Sequence, residues 1–401
     1  MSTVPVRTIT FGLADPHPLS AQSIRHVAIA LAQARGRFHA EGYEVQTVRL
    51  STRPVLDDLA DWPAHNLLRY VHELQTMLVD NSLEYCSLGP AQALRHDFSL
   101  ARLDLLADML IVAPVVSATV QFAGASNGHL MFRHEAALPT ARLIQRLAQE
   151  TAEGFGNFRF AMLACVDPGS PFFPAAYHSP TAVSQLSIGL QAASIIADAL
   201  HSYHENMATR EPDLAQITQH VSAEFSRRKA PYADLAQKTA QELGLVYGGM
   251  DYSPAPMGED SIVAAIEQAG YGTFGSSGTL ALVAALTAVL KGLSPQSAGY
   301  NGLMFPVLED AALGRRWEEG LVTAQQLLLY SSVCGTGLDT IPIAGDTPTE
   351  TIARLLVDVA TLAYRLHKPL SARLFPVPGK RAGERTAFTS PYLTNTVVQG
   401  I

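Results

Sequence analysis

The sequence predicts an α/β protein with a mostly parallel sheet and helices packed outside it. Three observations lead there. Short β-branched or alternating stretches take turns with stretches whose apolar residues recur three and four apart, along the whole of the 401 residues. The composition is 48% hydrophobic and 16% charged, which implies a large core and many buried strands. No internal repeat, low-complexity tract or clear linker divides the chain, so 1–401 is read as one domain. The polar stretch His204–Pro212 is the best candidate for an exposed connection, but not for a boundary.

In chain order, Val4–Phe11 is β-branched and stops at Gly12, a strand and turn. Ile24, Val27, Ala28, Leu31 and Phe38 follow at helical spacing, Glu44–Leu50 alternates as a strand, Ala64–Asn81 is helical, and Leu83–Leu88 is a strand before Gly89-Pro90. The apolar run Met109–Phe122, broken by Pro114, reads as strand, bend and strand. Leu138–Ala152 is helical and Phe158–Val166 a strand. Val183–His201 reads as a helix, Leu214–Leu245 as two helices, Val246–Tyr252 as a strand and Ile262–Ala269 as a helix. A Gly-Ser loop at 275–278 opens a long apolar helix at Thr279, and helices are expected at Glu309–Glu319 and Ala324–Ser331. Thr347-Pro348-Thr349-Glu350 has the form of a capping box with proline in the first turn, starting a helix that runs to about Leu366. Leu370–Phe375 is the last strand. Sheets of this kind place ligands at the carboxyl ends of their strands.

Several chemistries are disfavoured. A net charge of −8 with scattered basic residues argues against nucleic-acid backbone binding as the main task. Cys86, Cys165 and Cys334 lie far apart, without zinc spacing or a disulfide framework, so a reducing, cytoplasmic setting is expected. The amino-terminal MSTVPVRTITFG lacks the pattern of a signal peptide. The longest apolar run, Leu280–Leu290, falls short of the ~18 residues that span a bilayer, so no membrane partner is expected.

The candidate chemistry concentrates in 299–346. Cys334 precedes Gly335-Thr336-Gly337 and is either a nucleophile or redox thiol, or an inert buried cysteine. Asp339 lies in the same stretch. Glu309 and Asp310 are candidate ligands of a divalent metal, because hard cations prefer oxygen; they also suit a helix amino terminus. Gly275, Ser276, Ser277, Gly278 and Thr279 offer backbone amides to a phosphate or carboxylate, or form an ordinary turn and cap. The loop is neither a Walker A nor a GxGxxG motif, so no nucleotide is expected. Asp251 ends a strand, where an acid suits a base or a metal ligand as well as it suits a turn. His178 follows a stiff proline-rich loop and is either an acid/base group or a hydrogen-bonded structural histidine. Arg373 and Arg7 sit inside strands, where a buried cation needs a carboxylate or an anionic substrate; Lys380 follows close by. His201 and His204 share a helix face but lack a third ligand.

Together the segments RTITFGL, EYCSLGP, FFPAAYH, DYSPAP, FGSSGTL, GYNGLMFPVLED, LLLYSSVCGTGLDTIPIAGDT and ARLFPVPGKRAGE resemble the uncharacterised "PFL family protein" group (domain of unknown function 711, UPF0210-like) from about Arg7 to about Phe388. The resemblance implies a closed ten-stranded α/β barrel similar to that of glycyl-radical enzymes, helices outside, with a loop entering it that Cys334 and its glycines form or adjoin. It does not carry radical chemistry. The carboxyl-terminal Asn395–Ile401 has no Arg-Val-x-Gly segment around Gly400, and there is no Cys-Cys pair. Spacing around Pro254–Asp260 is shorter than in the common form of the family, which puts Glu259 and Asp260 in doubt as carried-over site residues.

The expected function is that of an enzyme acting on a small anionic, carboxylate-type metabolite by hydrolase- or lyase-type chemistry. Its catalytic candidates are Cys334, Asp339, Asp251 and His178, and Arg373, Lys380 and the 275–279 loop would hold the anion. The alternative is a metabolite sensor without turnover, and a purely structural scaffold is a third reading. Expected partners are the metabolite and a second copy of the chain, a homo-dimer being the simplest oligomer. A divalent metal is the one cofactor entertained.

Overall fold

The computed structural model describes residues 4–126, 128–207 and 212–401; much of the expected connection at His204–Pro212 falls outside these. Among these residues the fold is mixed α/β, with ten strands and helices around them. The strands are β1 (Val6–Gly12), β2 (Val45–Ser51), β3 (Cys86–Ala91), β4 (Val116–Ser126), β5 (His129–Phe132), β6 (Phe160–Ala164), β7 (Gln185–Leu190), β8 (Val246–Asp251), β9 (Gly337–Ala344) and β10 (Leu370–Val377). Their hydrogen-bonded order is β8-β7-β1-β2-β3-β4-β6-β10-β9, with β5 beside β4.

The sheet joins two sets of strands running in opposite directions. β1, β2, β3, β4 and β6 are mutually parallel. β7 pairs antiparallel to β1 and β10 antiparallel to β6, while β8 follows β7 and β9 follows β10 in parallel. The two end strands, β8 and β9, do not pair with each other among the described residues. The segment 297–306 lies between them, bridging to β8 through Met250 and Ser297 and to β9 through Pro306 and Asp339. The strand ladder is therefore open between β8 and β9, and only isolated bridges through this loop link them.

Several helices form where the apolar spacing put them. Ala21–Ala40 starts at Ser20, whose hydroxyl accepts the Ser23 amide at 3.0 Å, and buries Ile24, Val27, Leu31, Ala34 and Phe38 along one face. Phe38 is fully buried, so its truncation to alanine would cost about 3–5 kcal/mol. No described helix is long and apolar enough to cross a membrane.

Four expectations are corrected. Met109–Val112 ends the helix Arg102–Val112 instead of forming a strand, and Pro114 follows the helix end, where proline is common. Val183–His201 splits into β7 and the helix Ala193–Met207, because pairing with β1 decides a short apolar run that periodicity leaves ambiguous. Leu214–Glu242 is one helix that tolerates Pro231. At 347–350 the helix begins at Thr349 after Pro348, and the Thr347 hydroxyl donates to the Ala344 carbonyl rather than capping. β9 had no counterpart in the expected strands.

Register shifts interrupt five of the ladders, and two of them fall at an arginine. The β1–β7 register shifts between Val6 and Thr8, at Arg7. The β9–β10 register shifts between Ala372 and Leu374, at Arg373, and Thr340 opposite is left-handed with φ 42°. Bulges re-aim side chains and gather at functional sites.

Candidate functional site

A cavity of about 200 Å³ opens where the first set of strands begins. Arg7 near the start of β1, Arg49 on β2, Tyr85 just before β3, Val116 and Ser117 opening β4, and Ala161 on β6 form one part of its wall. Asp339 on β9, Ser371 and Arg373 on β10, and Tyr300, Met304, Pro306 and Glu309 complete it. The expected placement at carboxyl ends is thus reversed for the first set. Because the two sets run oppositely, the same opening also adjoins Ala255 and Pro256, just past the carboxyl end of β8.

At the inner wall Arg373 is held between two carboxylates. Its Nε donates to Asp339 Oδ1 at 2.7 Å and its Nη2 to Glu309 Oε1 at 2.6 Å, and its guanidinium lies over the Phe158 ring at 4.9 Å. Arg7 adds a longer ion pair to Glu309 Oε2 at 3.7 Å and a hydrogen bond to Gln46 at 3.1 Å. Burial alone would lower the Arg373 pKa, but the Asp339 and Glu309 charges outweigh it and hold the guanidinium firmly protonated. Burial raises the Glu309 carboxyl above its ordinary range, with Arg373 opposing.

Arg49 is different. Its guanidinium carbon lies 5.4 Å from the Tyr85 ring centre and 5.1 Å from that of Phe173. Nε donates to Thr47 at 3.0 Å, and the group makes no ion pair among the described residues. Burial, then repulsion from Arg7, pulls its pKa down to about 9. A buried guanidinium with unused donors is costly unless an anion satisfies them. Arg159, also on the wall, is spent: it donates to the carbonyls of Leu110 and Ala113 at the end of the helix Arg102–Val112 and of Val116 at the start of β4. Four guanidinium groups (Arg7, Arg49, Arg159, Arg373) face three carboxylates (Glu84, Glu309, Asp339), and Glu84 is exposed. The cavity therefore favours an anion. Phe155, Phe158, Phe172, Phe173 and Tyr392 make much of the remaining wall aromatic.

Of the residues singled out from sequence, Asp339, Arg373, Arg7 and Glu309 meet at this cavity, and the others do not line it. Asp251 is a structural brace: its carboxylate accepts the amides of Ser253 and Tyr300, both at 2.8 Å, and of Asn301 at 3.2 Å. Gly299 is required there, since it has φ 77° and a Cβ on it would lie 2.1 Å from Asp251 Oδ2. Cys334 is fully buried after the helix Ala324–Ser331, its amide bonded to the Tyr330 carbonyl at 2.7 Å. The loop that reaches the cavity is 297–306; the 334–337 stretch adjoins it, with the Gly335 amide donating to Leu303 at 2.8 Å and Thr336 on the cavity wall.

His178 lies at the other end of β1, against Gly12, with its amide on the Thr52 carbonyl at 2.9 Å; burial lowers its pKa. The 275–279 loop is outside: Ser276 and Ser277 are exposed, and Gly275 packs against the Leu321 carbonyl. Gly278 caps the helix Thr279–Lys291, and the Thr279 hydroxyl accepts the Gly275 amide at 3.2 Å. Lys380 belongs to the turn after β10, where its carbonyl accepts the Gly345 amide.

Asp310 is a double cap, not a metal ligand in position. Oδ1 accepts from Ser261 Oγ at 2.5 Å and the Leu313 amide at 3.0 Å, and Oδ2 accepts the amides of Ile262 and Val263. It thereby ties together the starts of the helices Ile262–Glu267 and Ala311–Glu318. No group of three or more His, Cys, Asp or Glu arranged for a metal occurs among the described residues. Glu259 pairs with Arg315 at the surface, Asp260 accepts from Gln191 at 2.6 Å, and His201 pairs with Glu205.

A family model described as "Uncharacterised ACR (DUF711)" matches residues 1–390. A UPF0210 protein of Desulfovibrio desulfuricans is 28% identical over 86% of this chain and 78% of its own. One of Pelotomaculum thermopropionicum is 27% identical over 96% and 88%. One of Pyrobaculum arsenaticum is 32% identical over 62% of this chain and 55% of its own. Among solved structures, the anaerobic ribonucleotide reductase from Thermotoga maritima in complex with dATP and CTP is similar at a TM-score of 0.37 and 9% identity, over 92% of this chain and 74% of that one.

Proposed function

The chain belongs to the family described as Uncharacterised ACR (DUF711), and for this member we propose that the cavity binds a small anionic metabolite with an apolar body. The carrying observation is Arg49: a buried guanidinium lying over the Tyr85 and Phe173 rings, with no carboxylate of its own among the described residues. Arg373 and Arg7 are already engaged by Glu309 and Asp339, so the ligand's charge goes to Arg49. The curled sheet would act as a barrel of the glycyl-radical-enzyme type, with 297–306 spanning its seam, serving here as a rigid frame for binding.

Benzoate is a suitable probe, since it joins a carboxylate to a flat apolar ring. Titration calorimetry should show binding of benzoate and much weaker binding of uncharged benzamide. Arg49→Met should lose about ten- to a hundredfold in affinity, the range expected for hydrogen bonds to a charged group. Equal affinity in wild type and Arg49→Met would dispose of the reading.

Turnover is a second reading, favoured by Glu309. It faces the cavity, and burial raises its carboxyl toward the range where proton transfer is useful. Hydrolase- or lyase-type chemistry would use Glu309 as the proton carrier and Arg49 as the anchor. Pocket carboxylates engaged in ion pairs support binding first. Conversion of a bound ligand, followed by NMR and stopped by Glu309→Gln, would establish turnover; conversion that survives that change would remove Glu309 from the role.

A further inference from the structure

The mouth of the cavity is marked by exposure. Among the residues that line it, Glu84, Pro114 and Tyr392 are exposed, and the others are buried or half-buried. Glu84 and Tyr85 lie just before β3, Pro114 just before β4, and Tyr392 on the carboxyl-terminal segment after β10. The hydroxyls of Tyr85 and Tyr392 meet there at 3.1 Å, joining opposite parts of the rim. Burial, and then the Tyr392 hydroxyl, push the Tyr85 pKa up to about 12, so Tyr85 stays a hydroxyl at ordinary pH.

The two rings are held differently. The Arg49 guanidinium lies over the Tyr85 ring, 5.4 Å from its centre. Tyr392 stacks on Phe158, with ring centres 6.3 Å apart and planes inclined by 18°, and keeps one side to solvent. The backbone on either side of Tyr392 is pinned. Asn395 Oδ1 accepts the Phe388 amide at 2.7 Å, the Thr394 amide donates to the Leu308 carbonyl at 2.6 Å, and the Thr389 amide and hydroxyl both donate to Glu153. Phe388 and Leu393 are buried. The part of this loop left free to turn is the Tyr392 side chain, tied across the mouth by one hydrogen bond between exposed neutral hydroxyls. Such a bond competes with water and is weak, and exposed side chains change rotamer quickly.

We propose that Tyr85 and Tyr392 form an aromatic gate: the ligand enters when the hydroxyl pair parts and the Tyr392 ring swings aside, and the re-formed pair closes the cavity over it. Tyr85, backed by Arg49, is the fixed leaf and Tyr392 the moving one. The gate rests on the proposed reading of the cavity as a binding site, but not on Arg49 holding an anion. Passage scales with the fraction of time the gate stands open, so weakening the pair speeds entry and exit alike and leaves affinity little changed.

The test uses a reporter inside the gate. Ser117 is buried on the cavity wall at the start of β4. In the full chain carrying Ser117→Cys and Cys165→Ser, the remaining natural cysteines, Cys86 and Cys334, are buried, and the uncharged thiol reagent dithiodipyridine must pass the mouth to react. Adding Tyr392→Phe should raise the labelling rate about two- to tenfold, the worth of one hydrogen bond between neutral groups, and Tyr392→Ala should raise it further. Unchanged thermal melting checks the fold, and Ala161→Cys on β6 is a second reporter should Ser117→Cys not fold. Fluorine NMR of para-fluorobenzoate should show exchange between bound and free ligand quickening by a similar factor, with affinity within about threefold. Labelling that is no faster in Tyr392→Ala overturns the gate, whatever the benzoate does. Faster labelling in a chain that binds no benzoate upholds the gate and removes the anion reading of Arg49.

Discussion

Asp339 accepts a hydrogen bond from Arg373 Nε at 2.7 Å at the point where the β9–β10 pairing is bulged, next to Thr340 with its left-handed φ of 42°. Both residues line one cavity, where Glu309 completes the triad, and Arg373 shares the cavity face of β10 with Ser371, two residues before it.

Removing Arg373 should be costly. Arg373→Met leaves Glu309 and Asp339 buried without their main cation, and losing one partner of a buried ion pair typically costs about 3–5 kcal/mol. Adding Glu309→Gln and Asp339→Asn to that variant should recover most of the loss, because no uncompensated charge then remains. Urea unfolding of the single and triple variants measures this. A single-variant loss below about 1 kcal/mol would show that the triad is solvated.

Asp310 should matter for stability and not for ligand. Asp310→Ala strips the acceptor from the Ser261 hydroxyl and from the amides of Ile262, Val263 and Leu313. Losing one cap costs about 0.5–2 kcal/mol, so a residue capping two helices is expected to cost about 2–4 kcal/mol. Benzoate affinity, corrected for the unfolded fraction, should stay within about twofold. A large rise in melting temperature on adding Mg²⁺ or Mn²⁺ to wild type, absent in Asp310→Ala, would restore the metal reading.

His17 gives the fold a pH dependence. Its imidazole is buried, with Nδ1 at 2.6 Å from the Tyr70 hydroxyl and Nε2 at 2.9 Å from the Thr52 hydroxyl. Burial, opposed by Asp58, lowers its pKa from 6.5 to about 4. Above pH 6.5 it is neutral folded or unfolded, and its contribution is whole. As the pH falls from 6.5 toward 4, the unfolded chain takes up the proton first and stability is lost, by about 3 kcal/mol in all. His178, lowered by burial as well, acts in the same sense. Denaturation midpoints across this window should fall steeply in wild type and less steeply in His17→Gln; parallel curves would assign the effect to other groups.

The element order was largely legible in the sequence, because amphipathic helices such as Ala21–Ala40 and Thr349–Leu366 declare themselves by spacing. Part of the site was legible by one rule, that a cation inside a strand needs an anion, which singled out Arg7 and Arg373. The same rule applies to Arg49. It escaped because β2 alternates Val45, Thr47 and Arg49 with Gln46 and Val48, a pattern that reads as one wet face. Asp251, Asp310 and Cys334 drew notice through neighbouring glycines and turn residues, yet those features served backbone bracing, helix capping and close packing. What the sequence withheld was direction: the reversal between the two strand sets, and the register shifts at Arg7 and Arg373, are set by tertiary pairing. They decide which end of the sheet opens and which side chains enter it.

A crystal soaked with para-bromobenzoate would locate the anion outright, since bromine marks its own position by anomalous scattering. The expected result is a bromine peak inside the cavity, with the carboxylate against the Arg49 guanidinium, beside Tyr85 and Phe173. A cavity without bromine, in which Arg49 has swung over to pair with Glu309 or Glu84, would contradict it.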